Sequence, residues 1–382
     1  MDLPTGIEEI PSPGLLFDCD RIDQNLQFLL DQVNGEASLL RPHLKTHKCG
    51  EILRRQKEMG IDSVKCATLS EANLAAEVGV RDILIAYPIV GPNRATLEAL
   101  MDRWPASQFS ALVDSEESLH WLEKVSSSSG QLPVFLDLDI GMHRTGIARE
   151  NGALALARSI VDSPALTFGG LHAYDGHIHA SCLTDRRSEF ELAIAQLDTF
   201  VSELEKEQIH VDRIVSGGSP TFAFHAERAL SSEIPWECSP GTPLLWDAGY
   251  GDLYPEMPFE AAAFLLTRVI SHPGEKLFCL DLGHKAVSAE NPLSERVHFP
   301  ALNEVEFVSQ SEEHLVVRTS TKLEIGEPLL AIPHHVCPSV ALHDWASLIR
   351  GGKMNGETWE ITARSRQMES PPKNLSGREN GA

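Results

Sequence analysis

The sequence predicts a (β/α)8 barrel with a β-domain appended at its C-terminal side. Three observations carry the prediction. Between Leu39 and Thr242, short apolar runs alternate with longer amphipathic ones, at a repeat of roughly 25 residues that marks parallel βα units. Polar side chains gather where the apolar runs end. After about residue 255 the helical stretches give way to short strands divided by turns.

In chain order the proposed barrel strands are "LLRPHLK", "DSVKCAT", "DILIAYP", "FSALVD", "PVFLDLDI", "LTFGGLHAY", "RIVSGG" and "WECSPGT". Between them, Leu69 to Val78, Asn93 to Met101 and Phe190 to Leu204 have helical spacing. A doubly wound open sheet is the alternative arrangement of the same units. Lys45, Thr68, Tyr87, Asp114, Arg144, His172, Tyr174, Ser219 and Thr242 all fall at or just past the C-terminal end of a proposed strand. That rim is where a barrel builds its active site, so the coincidence favours closure. The later strands are "AAAFLLTRVISH", "KLFCLDLGH", "NEVEFVSQ", "HLVVRTS" and "EPLLAIPHH". The early run "GLLFDCD" is expected to pair with them. The expected domains are thus a barrel over 20–250 and a discontinuous β-domain from 1–19 and 251–365. The tail, 366–382, is polar and rich in Pro, Gly and Ser, and is expected to be disordered.

Composition narrows the function. In 382 residues, 32 basic groups face 55 acidic ones, a net charge of -23. A polyanion is repelled by nucleic acid and by anionic membranes, which argues against either partner. No apolar run reaches the length of a membrane helix, and the N-terminus lacks the pattern of a secretory signal. Seven scattered cysteines read as reduced thiols of a cytoplasmic protein.

Five motifs carry chemistry. "RPHLKTHKC" places Lys45 at the end of the first barrel strand, with Lys48 and His47 beside it. Desolvation and neighbouring cations lower a lysine's pKa and yield an amine able to form a Schiff base. "SGGSPTF" and "SPGT", after the last two strands, bring Ser216, Gly217, Gly218, Ser219, Gly241 and Thr242 to glycine-rich turns. Such turns and the helix N-termini after them cradle anions. Lysine on the first strand and a phosphate cradle on the last two become neighbours on closure, an arrangement suited to pyridoxal phosphate. "DLDIGMHRTG" offers Arg144 to a phenolate or carboxylate oxygen. "LHAYDGHIH" offers His172, Tyr174, His177 and His179, with a histidine as a general base near neutral pH. "PHHVCPS" sets His335 and Cys337 at i and i+2, one face of an extended segment, as an imidazole–thiolate pair for a divalent ion.

Taken together, "RPHLKTHK", "DLDIGMHRTG", "YDGHIH", "SGGSPTF", "SPGT" and "HVCPS" resemble the D-threonine aldolase and D-serine dehydratase family, running in order from about residue 12 to about residue 350. The resemblance implies the alanine-racemase-like barrel, fold type III of pyridoxal-phosphate enzymes. It implies that Lys45 carries the cofactor, that Arg144 meets its phenolate side, and that His335 and Cys337 hold a divalent metal (Zn, Mn or Mg). In alanine racemases an arginine before the "PG" of the last strand meets the pyridine nitrogen. Ser239 stands there in this chain, and Tyr174 is the substitute expected. No counterpart of the racemase's second catalytic tyrosine is found, which counts against racemization. The implied activity is aldol cleavage of a D-β-hydroxy amino acid such as D-threonine, with His177 favoured over His179 as the base. Dehydration of D-serine or D-3-hydroxyaspartate is the alternative. A non-catalytic pyridoxal-phosphate carrier would need neither the β-domain nor the "HVC" motif. A homodimer is the expected assembly.

Overall fold

The computed structural model describes residues 2–125 and 130–366, so the tail expected to be disordered lies outside the described residues except for Arg366. Seven parallel strands follow one another in sequence order: β2 (Ser63–Cys66), β3 (Asp82–Ile85), β4 (Gln108–Val113), β5 (Leu132–Asp137), β6 (Leu166–Ala173), β7 (Ile214–Ser216) and β8 (Trp236–Cys238). The eighth member is the segment 40–43. It makes only isolated parallel bridges, Leu40 to Cys238 on one side and His43 to Lys65 on the other. Backbone hydrogen bonds from Arg41 to Cys238, His43 to Pro240, and Leu44 and Lys65 across the β2 side close the ring. Pro42 donates nothing to this ladder, and the chain turns out of it after His43.

Both faces of these strands are buried, as expected when helices cover a parallel sheet. Ile83, Ile85, Ala111, Val113, Val134 and Leu136 point outward into the main core, against helices. The alternating residues Leu84, Leu112, Phe135 and Val215 form a separate cluster inside the barrel. Below them, at the N-terminal ends of the strands, fully buried Arg41 pairs with Asp82 at 2.9 Å and with Glu237. Arg213 joins the same two carboxylates at 2.7 and 3.1 Å. An ion network thus closes the floor, an apolar layer fills the middle, and polar groups occupy the C-terminal mouth.

The outer helices are α1 (Cys19–Gln32), α2 (Gly50–Glu58), α3 (Leu69–Glu77), α4 (Asn93–Arg103), α5 (Glu116–Leu122), α6 (Ala153–Asp162), α7 (Leu183–Lys206) and α8 (Phe222–Ser231). Several start on side-chain caps: Asp18 accepts from two backbone N–H groups of α1, Thr68 from Glu71, and Ser115 forms a reciprocal pair with Ser118. Thr68, expected in the mouth, spends its hydroxyl on this cap. Tyr87, also expected there, is 54% exposed.

The second sheet begins with β1 (Gly14–Asp18), which pairs antiparallel with β9 (Ala263–Gly274) and parallel with the late strand Trp345–Arg350. Strands β10 (Leu277–Leu280), β11 (Val297–His298), β12 (Glu306–Gln310), β13 (Leu315–Arg318), β14 (Pro328–Pro333), β15 (Trp345–Arg350) and β16 (Lys353–Glu360) complete it. The last two escaped the sequence reading because β16 is polar and interrupted by Gly356, which breaks the alternation that marks a strand. Asp247 ties this sheet to the barrel: it caps α9 (Ala248–Leu253) and accepts the backbone N–H of Val336 at 3.0 Å.

Candidate active site

Lys45 follows the irregular closing segment, and its backbone N–H donates to His43 Nδ1 at 3.3 Å. The cations expected beside it are engaged elsewhere. Lys48 is ion-paired with buried Glu71, and His47 is buried with its Nδ1 accepting the N–H of Cys49 at 3.2 Å. The charged neighbour that interacts with Lys45 is instead Lys65, in the middle of β2 and 2% exposed. Burial first, and then the Lys45 charge, lowers the Lys65 amine to about 7. Burial followed by the charges of Lys45 and Lys65 holds His43 well below its usual range. The alternation of β2 brings Lys65 inward as surely as it takes Val64 and Cys66 outward. A lysine in the middle of an otherwise apolar strand was the signal the sequence offered.

Across the mouth, β5 and β6 are in register at Asp137 and His172. Asp137 accepts from His172 Nδ1 at 2.6 Å and from Thr145 Oγ1 at 3.0 Å. This carboxylate orients the imidazole and leaves His172 Nε2 buried without a protein partner. Burial keeps His172 below its usual range although Asp137 pulls it upward. Two residues on, Tyr174 lies under both cations of the site. The Arg144 guanidinium stacks 4.9 Å from its ring centroid and Lys65 Nζ lies 5.5 Å from it. Gly176 permits this ring position, since a Cβ there would collide with the phenol.

The two glycine turns meet. Ser219 Oγ accepts the backbone N–H groups of Gly241 at 3.3 Å and Thr242 at 3.1 Å. Gly217 has φ +89°, and a Cβ on it would enter the ring of His225. Gly218 faces Tyr174 Cε2 at 3.2 Å from an added Cβ, and Gly241 faces Thr46 Oγ1 at the same distance. His225 is held from behind by buried Asp175 at 2.8 Å. Burial would raise that carboxyl, but the charge and hydrogen bond of His225 keep it below the usual range. Ser216 donates to the Ala173 carbonyl, so its hydroxyl braces β6 against β7. Ser239, at the position of the racemase arginine, donates to the Arg41 carbonyl at 2.8 Å. Buried Thr221, just ahead of α8, also faces the Asp175 carboxylate.

The "HVC" motif is not extended. His335 is the N-cap of α10 (Val336–Val340), and Cys337 sits in its first turn. The two side chains still interact, and Glu290 holds His335 Nδ1. Burial opposes the imidazolium, but the bonds and charges of Cys337 and Glu290 outweigh it and push His335 up to about 9. Cys337 Sγ lies 3.2 Å from Thr46 Oγ1, next in sequence to Lys45. Among the described residues no group of three His, Cys, Asp or Glu is arranged to hold a metal ion. Imidazole and thiol together nonetheless form a donor pair of the kind borderline divalent ions take.

His177 packs against Gly141, whose added Cβ would lie 2.7 Å from Nε2, and its Nδ1 is buried without a partner. His179 is exposed, and the nearest use made of it is its carbonyl, 3.5 Å from Tyr254 Oη. The geometry separates two histidines that the sequence left side by side.

These features fit pyridoxal phosphate. The turns bring the backbone of Gly217, Gly218 and Gly241 together with no Cβ in the way, His172 Nε2 is unsatisfied, and an amine stands in the same mouth. Residues 17–235 match the model of the alanine racemase N-terminal domain, and residues 262–349 that of a putative serine dehydratase domain. The chain is 30% identical over 365 residues to a D-threonine aldolase of Arthrobacter sp, covering 94% of each. It is 28% identical over 369 residues to a 3-hydroxy-D-aspartate aldolase of Paracoccus denitrificans (strain Pd 1222), covering 94% of this chain and 93% of the relative. The crystal structure of D-threonine aldolase from Filomicrobium marinum superposes with a TM-score of 0.86 at 27% identity, covering 95% of this chain and 98% of that one.

Proposed function

The chain belongs to the alanine racemase N-terminal domain family, in the branch that includes the D-threonine aldolases, and from that premise we propose that it is a pyridoxal-phosphate- and divalent-metal-dependent lyase of D-β-hydroxy amino acids. The preferred reaction is cleavage of the Cα–Cβ bond to give glycine and an aldehyde. One observation carries the reading. The Lys45 segment is joined through Thr46 to Cys337 on one side and faces the Gly217–Thr242 cradle through Gly241 on the other.

Lys45 would hold the cofactor through its amine, with Arg144, His172 and Tyr174 around the ring and the turns 216–219 and 241–242 at the phosphate. When bound, pyridoxal phosphate supplies a sink for the electron pair released at Cα. His335 and Cys337 would hold the metal, which would supply Lewis acidity for the substrate's β-oxygen. His177, with an unpartnered Nδ1, is the base for the hydroxyl proton. Dehydration of D-serine or D-3-hydroxyaspartate is the second reading, favoured by the match of residues 262–349 to a serine dehydratase domain. In it Lys45 removes the Cα proton.

Product analysis separates the two. Glycine and acetaldehyde from D-threonine, lost with chelator, support the aldolase; pyruvate and ammonia from D-serine alone would overturn it. A homodimer is the proposed assembly. The seven cysteines are all unpaired, which supports a reducing compartment such as the cytoplasm, and no described helix is long and apolar enough to cross a membrane.

A further inference from the structure

Lys65 is the most anomalous charge in the barrel. It is 2% exposed, bridged through its backbone to His43 and in register with Leu84 of the apolar layer. No carboxylate or carbonyl among the described residues pairs with its ammonium, whose one defined contact is the Tyr174 ring. Two buried acids reach it with their fields but do not pair with it: Asp137 is committed to His172 and Thr145, and Asp175 holds His225 through Oδ2 while its Oδ1 makes no hydrogen bond to Lys65. A desolvated ammonium without a counter-ion is costly, and an apolar residue beside Leu84 would be cheaper. The same Tyr174 ring carries Arg144, and Arg144 is exposed at the rim. Lys65, Tyr174 and Arg144 therefore form a stack running from the interior to the mouth, with Lys65 interacting with the Lys45 charge.

An unpaired cation in that place calls for an anion that the chain does not supply. We propose that Lys65 is a specificity-determining residue whose ammonium receives the carboxylate of the amino-acid substrate. The inference rests on the reading of the site as an amino-acid lyase. A cofactor oxygen is the other anionic source, and the test separates the two.

The holoenzyme is titrated calorimetrically with D-lactate, which has the carboxylate but no amine, and with D-lactamide, which lacks the charge. Wild type should bind D-lactate about tenfold or more tightly than D-lactamide. Lys65→Met should reduce that preference to about twofold or less, with the cofactor dissociation constant within about threefold of wild type. Lys65→Gln, which keeps a donor without the charge, should behave alike and covers the case in which Lys65→Met does not fold. Absence of the preference in wild type, or its survival in either folded variant, overturns the proposal. If it survives while cofactor affinity falls about tenfold, the ammonium serves a cofactor oxygen; if nothing changes, Lys65 is structural. Because binding is read directly, failure of the lyase reading would appear separately, as absence of turnover by wild type.

Discussion

Replacing Lys65 by methionine should stabilise the protein. The side chains are similar in length, and the site is lined on one side by Leu84, so methionine fits the volume. Burial is the main reason the amine is held near 7 instead of 10.5. In the folded state it therefore carries fewer protons than in the unfolded chain between about pH 7 and pH 10.5. Wild-type stability consequently climbs with pH across that window, and below it the full penalty is present. The displacement corresponds to about 5 kcal/mol at its limit, and relaxation and water entry reduce this to about 2–3 kcal/mol. Urea unfolding of both proteins at pH 7.0 and 9.5, at equal cofactor concentration, measures it. The variant should be the more stable at pH 7.0, and the difference should shrink by about half or more at pH 9.5. A variant less stable than wild type at pH 7.0, or a difference indifferent to pH, would refute the view that this ammonium is an unpaired buried charge.

Lys45→Ala should abolish the absorbance of bound cofactor at roughly 410–420 nm together with turnover. His335→Ala should retain that absorbance and lose about 100-fold or more in turnover, as wild type does with chelator; unchanged turnover in either case removes the metal from the reaction. Gly217→Ala forces a left-handed backbone on alanine and a methyl into His225, costing about 2–4 kcal/mol in chemical unfolding and weakening cofactor binding in a fluorescence titration. Arg41→Met leaves Asp82 and Glu237 facing each other with only Arg213 between them, and should cost about 3–5 kcal/mol by the same unfolding measurement.

The sequence by itself determined the barrel, because the alternation of apolar runs and amphipathic helices is a local property that both faces of a parallel sheet impose. It also placed the glycine turns, since the positive φ of Gly217 and the crowding at Gly218 and Gly241 admit little else. It could not decide which charges share a space. Lys48 and His47 are neighbours of Lys45 along the chain, but the turn after His43 sends Lys48 to Glu71. Lys65, twenty positions away, enters the mouth because β2 lies beside the closing segment. The same holds for Asp137 beneath His172 and for Asp175 behind His225, pairs made by strand register and by packing of α8. His335 and Cys337 were found as a pair, but the helical turn that joins them and the contact to Thr46 come from docking of the β-domain on the barrel. Local pattern fixes which face a residue occupies; only closure of the ring and seating of the second sheet fix what it meets there.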